Sequence, residues 1–508
     1  MTSIARKNPL RRETSAKLLV GNQKIALIVL LVVTIISLIM WVRPTLTSIL
    51  TICFVFYALT VGQKFLLHFV SAKNPLPDIP PLSVNDPDLP TYTLLIPLFR
   101  EANMVESLVR SLDNIQYPND KRQGLLLLED DDVATRFAVE QLDLPDWIDV
   151  VVVPDVKPKG KPKALNMGLA EATGTYCVIY DAEDRPDPDQ LLKAAAAFRA
   201  YPDEVACVQA RLYFWNDDSS WVTRFYWTEY VIHFEWVLRG LAKLGLIPPL
   251  GGTSNHFRTE ALRNIAYAPD QLPKGAEGVG GWDPWNVTED AELAGALALS
   301  GYRIEMIDSV TREEATANLH IADMQRRRWL KGYLQTGLVY TRQPIKTARQ
   351  MGFFRWFSYI LLTLGTPISL WLNPIMWGLT ITYFITRSPF IESLFPPPLF
   401  YFGVLLMVAG NLLLFYQLVG ACLHRGGFGT VKYLFLTPIW WAFTSWSAYV
   451  VLWQLPRESV WNKTPHGHDL HKDQAIETKQ QLELESKEEQ TGVNTTPAKQ
   501  KQTDLDAV

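Results

Sequence analysis

The chain has little of several features that mark common classes of protein. Its 508 residues include only four cysteines, Cys53, Cys177, Cys207 and Cys422, which lie far apart and form no CxxC pair. This spacing excludes a zinc knuckle and a disulfide framework. The formal net charge is only −4. The overall charge therefore gives no reason to expect a nucleic acid or another polyanion as a partner.

Apolar residues make up an ordinary 48% of the chain, but they are concentrated in long runs. Several runs approach the roughly 20 residues that a helix needs to cross a bilayer. They predict two transmembrane helices within 25–70 and three or four more within 346–455. The basic residues of 1–24 favour a cytoplasmic N-terminus. We therefore expect a multi-pass protein of the inner (plasma) membrane with a cytoplasmic domain between the two groups of helices.

Two details of the C-terminal part stay open. The apolar run 356–386, interrupted at Asn373-Pro374, is one tilted helix or two short ones, so the side of the C-terminus is not fixed. Residues 456–508 contain the motif Lys-Thr-Pro-His-Gly at 463–467 and a polar tail that is expected to be disordered.

A linker at 71–90, with six prolines, leads into a region of different character at 91–345. Short apolar runs at 91–97, 125–128, 150–153 and 175–180 alternate with helical patterns. Such runs predict a parallel sheet covered on both faces. Residues 185–340 are interpreted as helices and loops, including an aromatic segment at 221–241. Its composition suits a core helix as well as a helix on the membrane interface, and the interface is favoured.

Acidic residues follow two of these strands, where ligands bind in parallel folds. Asp181, Glu183 and Asp184 follow the fourth strand and suit a divalent cation shared with phosphate oxygens. Either Glu183 or Asp184 is the second ligand. The acids 129–132 follow the second strand and could accept N–H groups of a nucleotide base, and their spacing does not say which one does so. The candidates are Glu129, Asp130 and Asp132.

Basic and glycine-rich segments complete a phosphate and sugar site. The segment 157–166 places four lysines at a helix start, where lysine and the helix N-terminus can hold phosphate. The turn Gly252-Thr253-Ser254 allows close approach of the backbone to a sugar. Either segment is equally compatible with an ordinary loop, and the lysines with a loop on anionic lipid.

Two motifs further along the chain offer a base and a diphosphate clamp. Thr288-Glu289-Asp290 precedes a helical pattern, where Asp290 could act as a general base or simply favour the helix N-terminus. Gln325–Trp329 combines three arginines with an indole just before the membrane segments. Arginine holds phosphate with paired hydrogen bonds, and tryptophan offers a flat face to a sugar ring. The alternative is a basic cluster attracted to anionic lipid.

In this order, the motifs resemble those of membrane-embedded family 2 glycosyltransferases, the group that includes cellulose and glucomannan synthases. The resemblance covers about 90–470 and is most specific at Thr288–Asp290 and Gln325–Trp329, which match the group's TED and QxxRW motifs. Asp181–Asp184 departs from a strict Asp-x-Asp.

The resemblance implies a GT-A (Rossmann-like) α/β domain inserted between transmembrane helices, Mg²⁺ or Mn²⁺ as cofactor, and inversion at the anomeric carbon. It implies that Asp290, with Glu289, is catalytic and that Asp181, Glu183 and Asp184 hold the metal. The candidates on the donor side include Glu129, Asp130 and Asp132 after the second strand. The resemblance adds Lys163, Asn166, Gln325, Arg327 and Arg328. Those on the acceptor side are Gly252, Thr253, Ser254 and Trp329.

The expected function is processive transfer of a hexose to a growing β-linked polysaccharide. UDP-glucose is the favoured donor and GDP-mannose the next. Transfer of one sugar to a lipid acceptor is the alternative, and a non-catalytic accessory subunit is a third possibility. Membrane lipids and accessory secretion subunits are the other expected partners, and nucleic acid is not.

Overall fold

A computed structural model of the protein describes residues 12–424 and 426–455. The expectations for the first eleven residues, for the 463–467 motif and for the polar tail lie outside these ranges. All four cysteines are buried and free. The strands are β1 Tyr92–Leu98, β2 Arg122–Glu129, β3 Ile148–Val153, β4 Tyr176–Ile179, β5 Arg185–Pro186, β6 Val205–Phe214, β7 Asn255–Arg258 and β8 Arg303–Glu313.

Helices flank this sheet in sequence and in space. They are α1 Gly21–Met40, α2 Val42–Lys73, α3 Val105–Asp113, α4 Val133–Glu140, α5 Lys161–Glu171, α6 Gln190–Ala200, α7 Trp221–Val231, α8 Arg239–Lys243, α9 Thr259–Asn264, α10 Glu289–Leu299, α11 Leu319–Tyr340, α12 Pro344–Met351, α13 Phe353–Thr363, α14 Gly365–Thr386, α15 Pro389–Ser393, α16 Pro397–Leu405, α17 Asn411–His424 and α18 Thr437–Gln454. π-Helical stretches at Ile232–Leu238 and Leu406–Gly410 join α7 to α8 and α16 to α17.

The strands form one sheet in the order β3-β2-β1-β4-β7-β6-β8-β5. The pairs among β1 to β4 are parallel, as the sequence predicts. Strand β7 runs antiparallel to both β4 and β6, so the complete sheet is mixed. The outer strand β3 leaves Val150 and Val152 more than 40% exposed, so the expected cover on both faces is incomplete there.

The expectation of only helices and loops at 185–340 is wrong, because β5 to β8 lie there. Polar residues within β6 interrupt the apolar run by which a buried strand is recognised in a sequence. Its Gln209 is fully buried, and its amide donates to the carbonyls of Ala210 and Thr253. A buried polar side chain that is hydrogen-bonded in this way costs little, so a core strand tolerates it.

Four described helices are long and apolar enough to cross a membrane: α1, α2, α14 and the continuous helical segment Pro397–His424. The break in the run 356–386 falls between α13 and α14, and Pro374 lies inside α14. The shorter α18 packs against α11 through Leu330, Leu334 and Val451. The number of spans after the catalytic domain therefore stays a prediction.

The aromatic helix α7 is built into the interior. Phe225, Tyr226 and Trp227 are buried in a cluster with Leu418 of α17 and Trp440 of α18. Packing within the protein accounts for this aromatic content, in place of the expected exposed face on a membrane interface. The helix thereby fixes the sheet to the C-terminal helices.

Candidate active site

A cleft of about 720 Å³ lies beyond the carboxyl ends of β1, β2 and β4. The start of α10 and one face of α11 close it on the other side. Nine of the site residues predicted from the sequence line it: Asp181, Glu183, Gly252, Thr253, Glu289, Asp290, Gln325, Arg328 and Trp329. Segments far apart in sequence thus form a single site.

The acidic turn after β4 is held by two hydrogen bonds to Asp184. The Asp184 side chain is buried, and its Oδ2 accepts from the Asp181 amide at 2.6 Å and from the Thr253 hydroxyl. Its other oxygen, Oδ1, is buried without a hydrogen-bond partner among the described residues. Burial, followed by the charges of Asp181 and Glu183, raises the pKa of Asp184 well above its usual range. An extra cation here would relieve that repulsion.

Two groups adjoin this turn: Lys161, one of the four lysines that the sequence predicts near phosphate, and Glu313, which the sequence reasoning missed. Lys161 Nζ lies 2.5 Å from Asp181 Oδ1 and donates to the Gly252 carbonyl at 3.0 Å. Glu313, at the end of β8, lines the cleft, and burial together with Asp184 raises its pKa well above the usual range. Glu313 belongs to a strand that the sequence did not predict, which explains why it was missed.

The acidic turn has a donor set that suits a hard divalent cation, since carboxylate oxygens are the ligands such ions prefer. Within residues 12–424 and 426–455, no three acidic, histidine or cysteine side chains converge closely enough to hold a metal ion unaided. Asp181 and the unpartnered oxygen of Asp184 therefore fit a cation whose remaining ligands come from a phosphate-bearing substrate.

The Thr288–Asp290 motif places two carboxyl groups at the N-terminus of α10. Thr288 occupies the N-cap position, but its side chain makes no capping hydrogen bond. Asp290 Oδ1 accepts from the Ala291 amide at 2.7 Å, and Oδ2 faces Gly252. A Cβ atom at Gly252 would lie 3.2 Å from Oδ2, and its φ of 78° also favours glycine. The glycine turn thus leaves room beside the carboxylate.

Burial raises the pKa of both carboxyl groups of this motif. The pKa of Glu289 rises to about 7, because of burial and then the charge of Asp290. The pKa of Asp290 rises to about 6, because burial outweighs its hydrogen bond to the Ala291 amide and the nearby charges of Lys161 and Arg328. A carboxylate in this range is suited to accept a proton near neutral pH.

The helical periodicity of α11 places the residues of the Gln325–Trp329 motif on different faces of the helix. Gln325, Arg328 and Trp329 line the cleft, as positions i, i+3 and i+4 of one helical face must. Arg327 lies on another face and pairs with Asp323 one turn earlier, its Nε donating to Oδ1 at 3.0 Å. The cleft face of α11 therefore offers one of the two arginines expected to hold the diphosphate.

Arg326 supports the aromatic wall of the cleft. Its guanidinium pairs with Glu229 at 2.5 Å and lies 5.4 Å from the centre of the Trp329 ring. Trp329 also contacts Tyr226 edge-on and Tyr230 at a tilt. These contacts fix the indole that the sequence predicts as an acceptor platform.

Of the acids after β2, the structure places Asp131 at the cleft. Glu129 is buried in an ion pair with Lys163, and Asp132 caps α4 by accepting from the Thr135 amide. Asp130 is exposed and pairs with Arg136. The three candidates named from the sequence thus have local partners. Asp131, which belongs to the same run of four acids but was not among the named candidates, pairs with Lys159 and lines the cleft.

Lys163, Asn166 and Ser254 hold the walls of the site. Lys163 Nζ donates to Glu129 and to the carbonyls of 154 and 156. Asn166 exchanges two hydrogen bonds with the Trp282 backbone, both at 2.9 Å. Ser254 is fully buried, 2.6 Å from the Thr311 hydroxyl. The cleft face of the lysine segment is formed instead by residues 157–162.

The helices that carry the two most specific motifs are in direct contact. Gly332 of α11 faces Thr288, and a Cβ atom on this glycine would overlap the threonine side chain. About two turns further on, Tyr340 donates to the Glu292 carboxylate at 3.1 Å. The helices α10 and α11 are therefore packed without a gap behind the cleft.

Comparison with known proteins agrees with this geometry. The sequence profile described as glycosyl transferase family group 2 matches residues 176–455, which is more than half of the chain. The chain belongs to this family. It is therefore an enzyme that transfers a sugar from a nucleotide sugar, and the resemblance drawn from the motifs is confirmed.

Relatives of this glycosyltransferase include enzymes named for different products. It is 26% identical over 324 residues to the probable glycosyltransferase YdaM of Bacillus subtilis, covering 62% of this chain and 72% of that one. It is 25% identical over 287 residues to the beta-monoglucosyldiacylglycerol synthase of Trichormus variabilis, covering 55% and 58%. It is 23% identical over 273 residues to glucomannan 4-beta-mannosyltransferase 1 of Oryza sativa, covering 51% and 48%. The chain thus spans about half the length of the last two.

A solved structure establishes the fold of this glycosyltransferase. The chain is similar to a mannosyltransferase from Pyrobaculum calidifontis in complex with GDP-Man and Mn²⁺, with a TM-score of 0.53 and 19% identity. The match covers 81% of this chain and 98% of the other. The expected GT-A fold is confirmed.

Proposed function

We propose that this enzyme is an inverting hexosyltransferase whose catalytic domain, 91–345, lies on the cytoplasmic side of the inner membrane between two groups of membrane helices. The observation that carries the proposal is the convergence of Asp290, Asp181 and Arg328 on one cleft. Their chemistry supplies a base, a ligand for a cation and a clamp for phosphate. The four apolar helices support the location at a membrane.

In the proposed reaction, Asp290 accepts the proton of an acceptor hydroxyl. The acceptor oxygen then bonds to the anomeric carbon on the face opposite the diphosphate. The carbon–oxygen bond to the diphosphate breaks, and the nucleoside diphosphate departs with that electron pair. No covalent enzyme intermediate is needed. The raised pKa of Asp290, about 6, suits this proton transfer.

Positive charge on the donor side would stabilise the leaving diphosphate. Arg328 and Lys161 both line the cleft. Asp181 and Asp184 would hold Mg²⁺ or Mn²⁺, and Glu183 is the further candidate ligand. When bound, the ion neutralises charge that develops on the diphosphate. A GDP-sugar or a UDP-sugar fits this arrangement, and UDP-glucose remains the favoured donor. Asp131 is the acid best placed to contact the base.

The chemical class of the acceptor, polysaccharide or lipid, is a separate part of the proposal. We favour a growing polysaccharide, with its terminal sugar stacked on Trp329 as the resemblance implies. One observation favours a lipid acceptor as the second candidate. A cavity of about 840 Å³ lies among α2, α14, α16 and α17, and its wall is largely apolar, with Phe54, Leu362 and Met407 among its residues. Acyl chains fit such a wall better than sugars do.

A donor screen tests the proposal. The full-length protein in nanodiscs is given radiolabelled UDP-glucose or GDP-mannose, with and without EDTA, and the products are separated by size. We expect incorporation with one donor, loss of incorporation in EDTA, and recovery with Mn²⁺ or Mg²⁺. Long chains identify a polymerase, and single-sugar glycolipids identify the second candidate. Incorporation that resists EDTA would contradict the metal assignment.

Asp290→Asn tests the base, and Asp203→Asn is its matched control, because the Asp203 side chain is 86% exposed. We expect the first change to reduce transfer by several orders of magnitude and the second to leave it unchanged. Full transfer by Asp290→Asn would show that another group accepts the proton.

A further inference from the structure

The segment that precedes α1 lies against the catalytic domain. The side chain of Arg12 is only 8% exposed. It donates to the carbonyls of Ile265 at 3.0 Å and Gly281 at 2.8 Å, and it pairs with Glu292 at 2.5 Å. Its guanidinium also stacks over the Tyr267 ring at 3.8 Å. A residue from a segment read as a basic N-terminus is thus built into the interior.

The ion-pair partner of Arg12 is Glu292, which belongs to α10, the helix that carries Asp290. Glu292 follows Asp290 by two residues on α10, and its side chain is only 1% exposed. Its other oxygen accepts from Tyr340 of α11 at 3.1 Å. Arg12, Glu292 and Tyr340 therefore form one chain of contacts that joins the N-terminal segment to both helices behind the cleft.

A second set of contacts holds the loop that leads into α10. The Ser15 amide donates to Asp283 at 2.6 Å, and Asn286 donates to the Ser15 hydroxyl at 3.2 Å. The same Asn286 amide donates to Thr336 of α11 at 2.9 Å. The loop is thereby fixed between the N-terminal segment and α11, just before Glu289.

A third set anchors the segment to the end of α11. Arg342 pairs with Glu13 at 2.9 Å, and its carbonyl accepts from Asn22 at 2.7 Å. Gln23 donates to the Leu338 carbonyl at 2.8 Å. Between these anchors, Ser15, Ala16 and Leu18 line the same cleft as Asp290.

We propose that the N-terminal segment, residues 12–20 with the first turn of α1, is a wall of the active site, and that Arg12 is a positioning residue for the first turn of α10. Arg12 fixes Glu289 and Asp290 relative to the Gln325 and Arg328 face of α11. The inference rests on the function proposed for Asp290. Loss of Arg12 leaves Glu292 as an uncompensated buried carboxylate, which is costly. A displacement of about 1 Å at a reacting group can lower the rate roughly 100-fold.

The test compares Arg12→Gln, Arg12→Lys and the double variant Arg12→Gln/Glu292→Gln in the full-length protein in nanodiscs. The matched control is Arg110→Gln, because Arg110 pairs with Glu106 on the surface of α3 and is 57% exposed. We measure kcat and the donor KM with the radiolabelled donor from the screen, UDP-glucose or GDP-mannose. Hydrogen exchange of the backbone amides at 289–292 is measured in the absence of substrate.

We expect Arg12→Gln to lower kcat roughly 10- to 100-fold with little change in donor KM, and to speed exchange at 289–292. Arg12→Lys keeps the charge opposite Glu292 but not the forked contacts, so its kcat should lie between those of the wild type and Arg12→Gln. The double variant removes the unpaired carboxylate and should fold even if Arg12→Gln does not. It should still show low kcat and fast exchange.

The inference is overturned if the folded variants keep wild-type kcat and the exchange rates of the control, because Arg12 would then contribute only to stability. The exchange measurement does not depend on the donor or on the base. If Asp290→Asn remains active while Arg12→Gln loosens 289–292, the proposed function fails and the positioning role stands.

Discussion

Asp290→Asn should cost this enzyme its activity and at the same time make its fold more stable. The carboxylate is held where burial raises its pKa from the ordinary 3.8 to about 6. Such a rise means that ionisation above pH 6 costs folding free energy, about 3 kcal/mol if the whole effect belongs to Asp290. Asparagine has nearly the same shape and no charge. Part of the effect is shared with Glu289, so we expect a gain of about 1–3 kcal/mol at pH 8.

The sign of the pH dependence is a second part of the same prediction. A carboxyl group whose folded pKa is raised favours the fold below its unfolded pKa and loses that contribution as the pH rises through 6. The advantage of the variant should therefore be largest at pH 8 and should shrink towards pH 4. Thermal unfolding of both proteins in nanodiscs at several pH values measures it, alongside transfer of the radiolabelled sugar.

Three outcomes would refute this reasoning. If the variant unfolds at a lower temperature than the wild type at pH 8, the carboxylate is stabilised by contacts that the site geometry does not contain. If transfer persists, Asp290 is not the base. In the wild type, kcat should rise with pH through about 6 as the base ionises, and a flat profile between pH 5 and 8 would also contradict the assignment.

Three further predictions concern the donor and acceptor sides. Arg328→Ala should lower kcat by about 100-fold, whereas Arg327→Ala, which removes a side chain from the other face of α11, should lower it far less; kcat with the screened donor separates them. Asp131→Asn should raise the donor KM by about 10-fold if it contacts the base, with kcat unchanged, and an unaltered KM would exclude that contact. Trp329→Ala should raise the acceptor KM several-fold through loss of stacking while isothermal titration shows unchanged binding of UDP or GDP.

The motifs of this chain could be predicted from its sequence because each combines residue types whose chemistry is specific. The sequence identified the acids at 181–184, the Thr288–Asp290 motif and the Gln325–Trp329 motif, and the structure brings members of all three to one cleft. The sequence did not resolve which side chains of a motif face the cleft. Helical periodicity, applied to α11, would have separated Arg328 from Arg327, since residues three and four apart share a face.

The acid after β2 that faces the cleft was harder to predict, because four consecutive acidic residues form no pattern that distinguishes one from another. Which of them faces the cleft depends on partners distant in sequence, Lys163 for Glu129 and Lys159 for Asp131. The strands β6 and β8 were missed for a related reason. Their buried polar residues are satisfied by neighbours that only the folded sheet supplies, as Gln209 is by the carbonyl of Thr253.

The contact of Gly332 with Thr288 limits how this enzyme can open and close around its substrates. Gly332 has no side chain, so the backbone of α11 lies directly against the Thr288 side chain at the start of α10. We therefore expect Asp290 on α10 and Arg328 on α11 to keep their relative positions when substrates bind. Any movement that admits the donor or releases the nucleotide is then expected elsewhere in the cleft lining, such as the loop that carries Lys157 and Lys159.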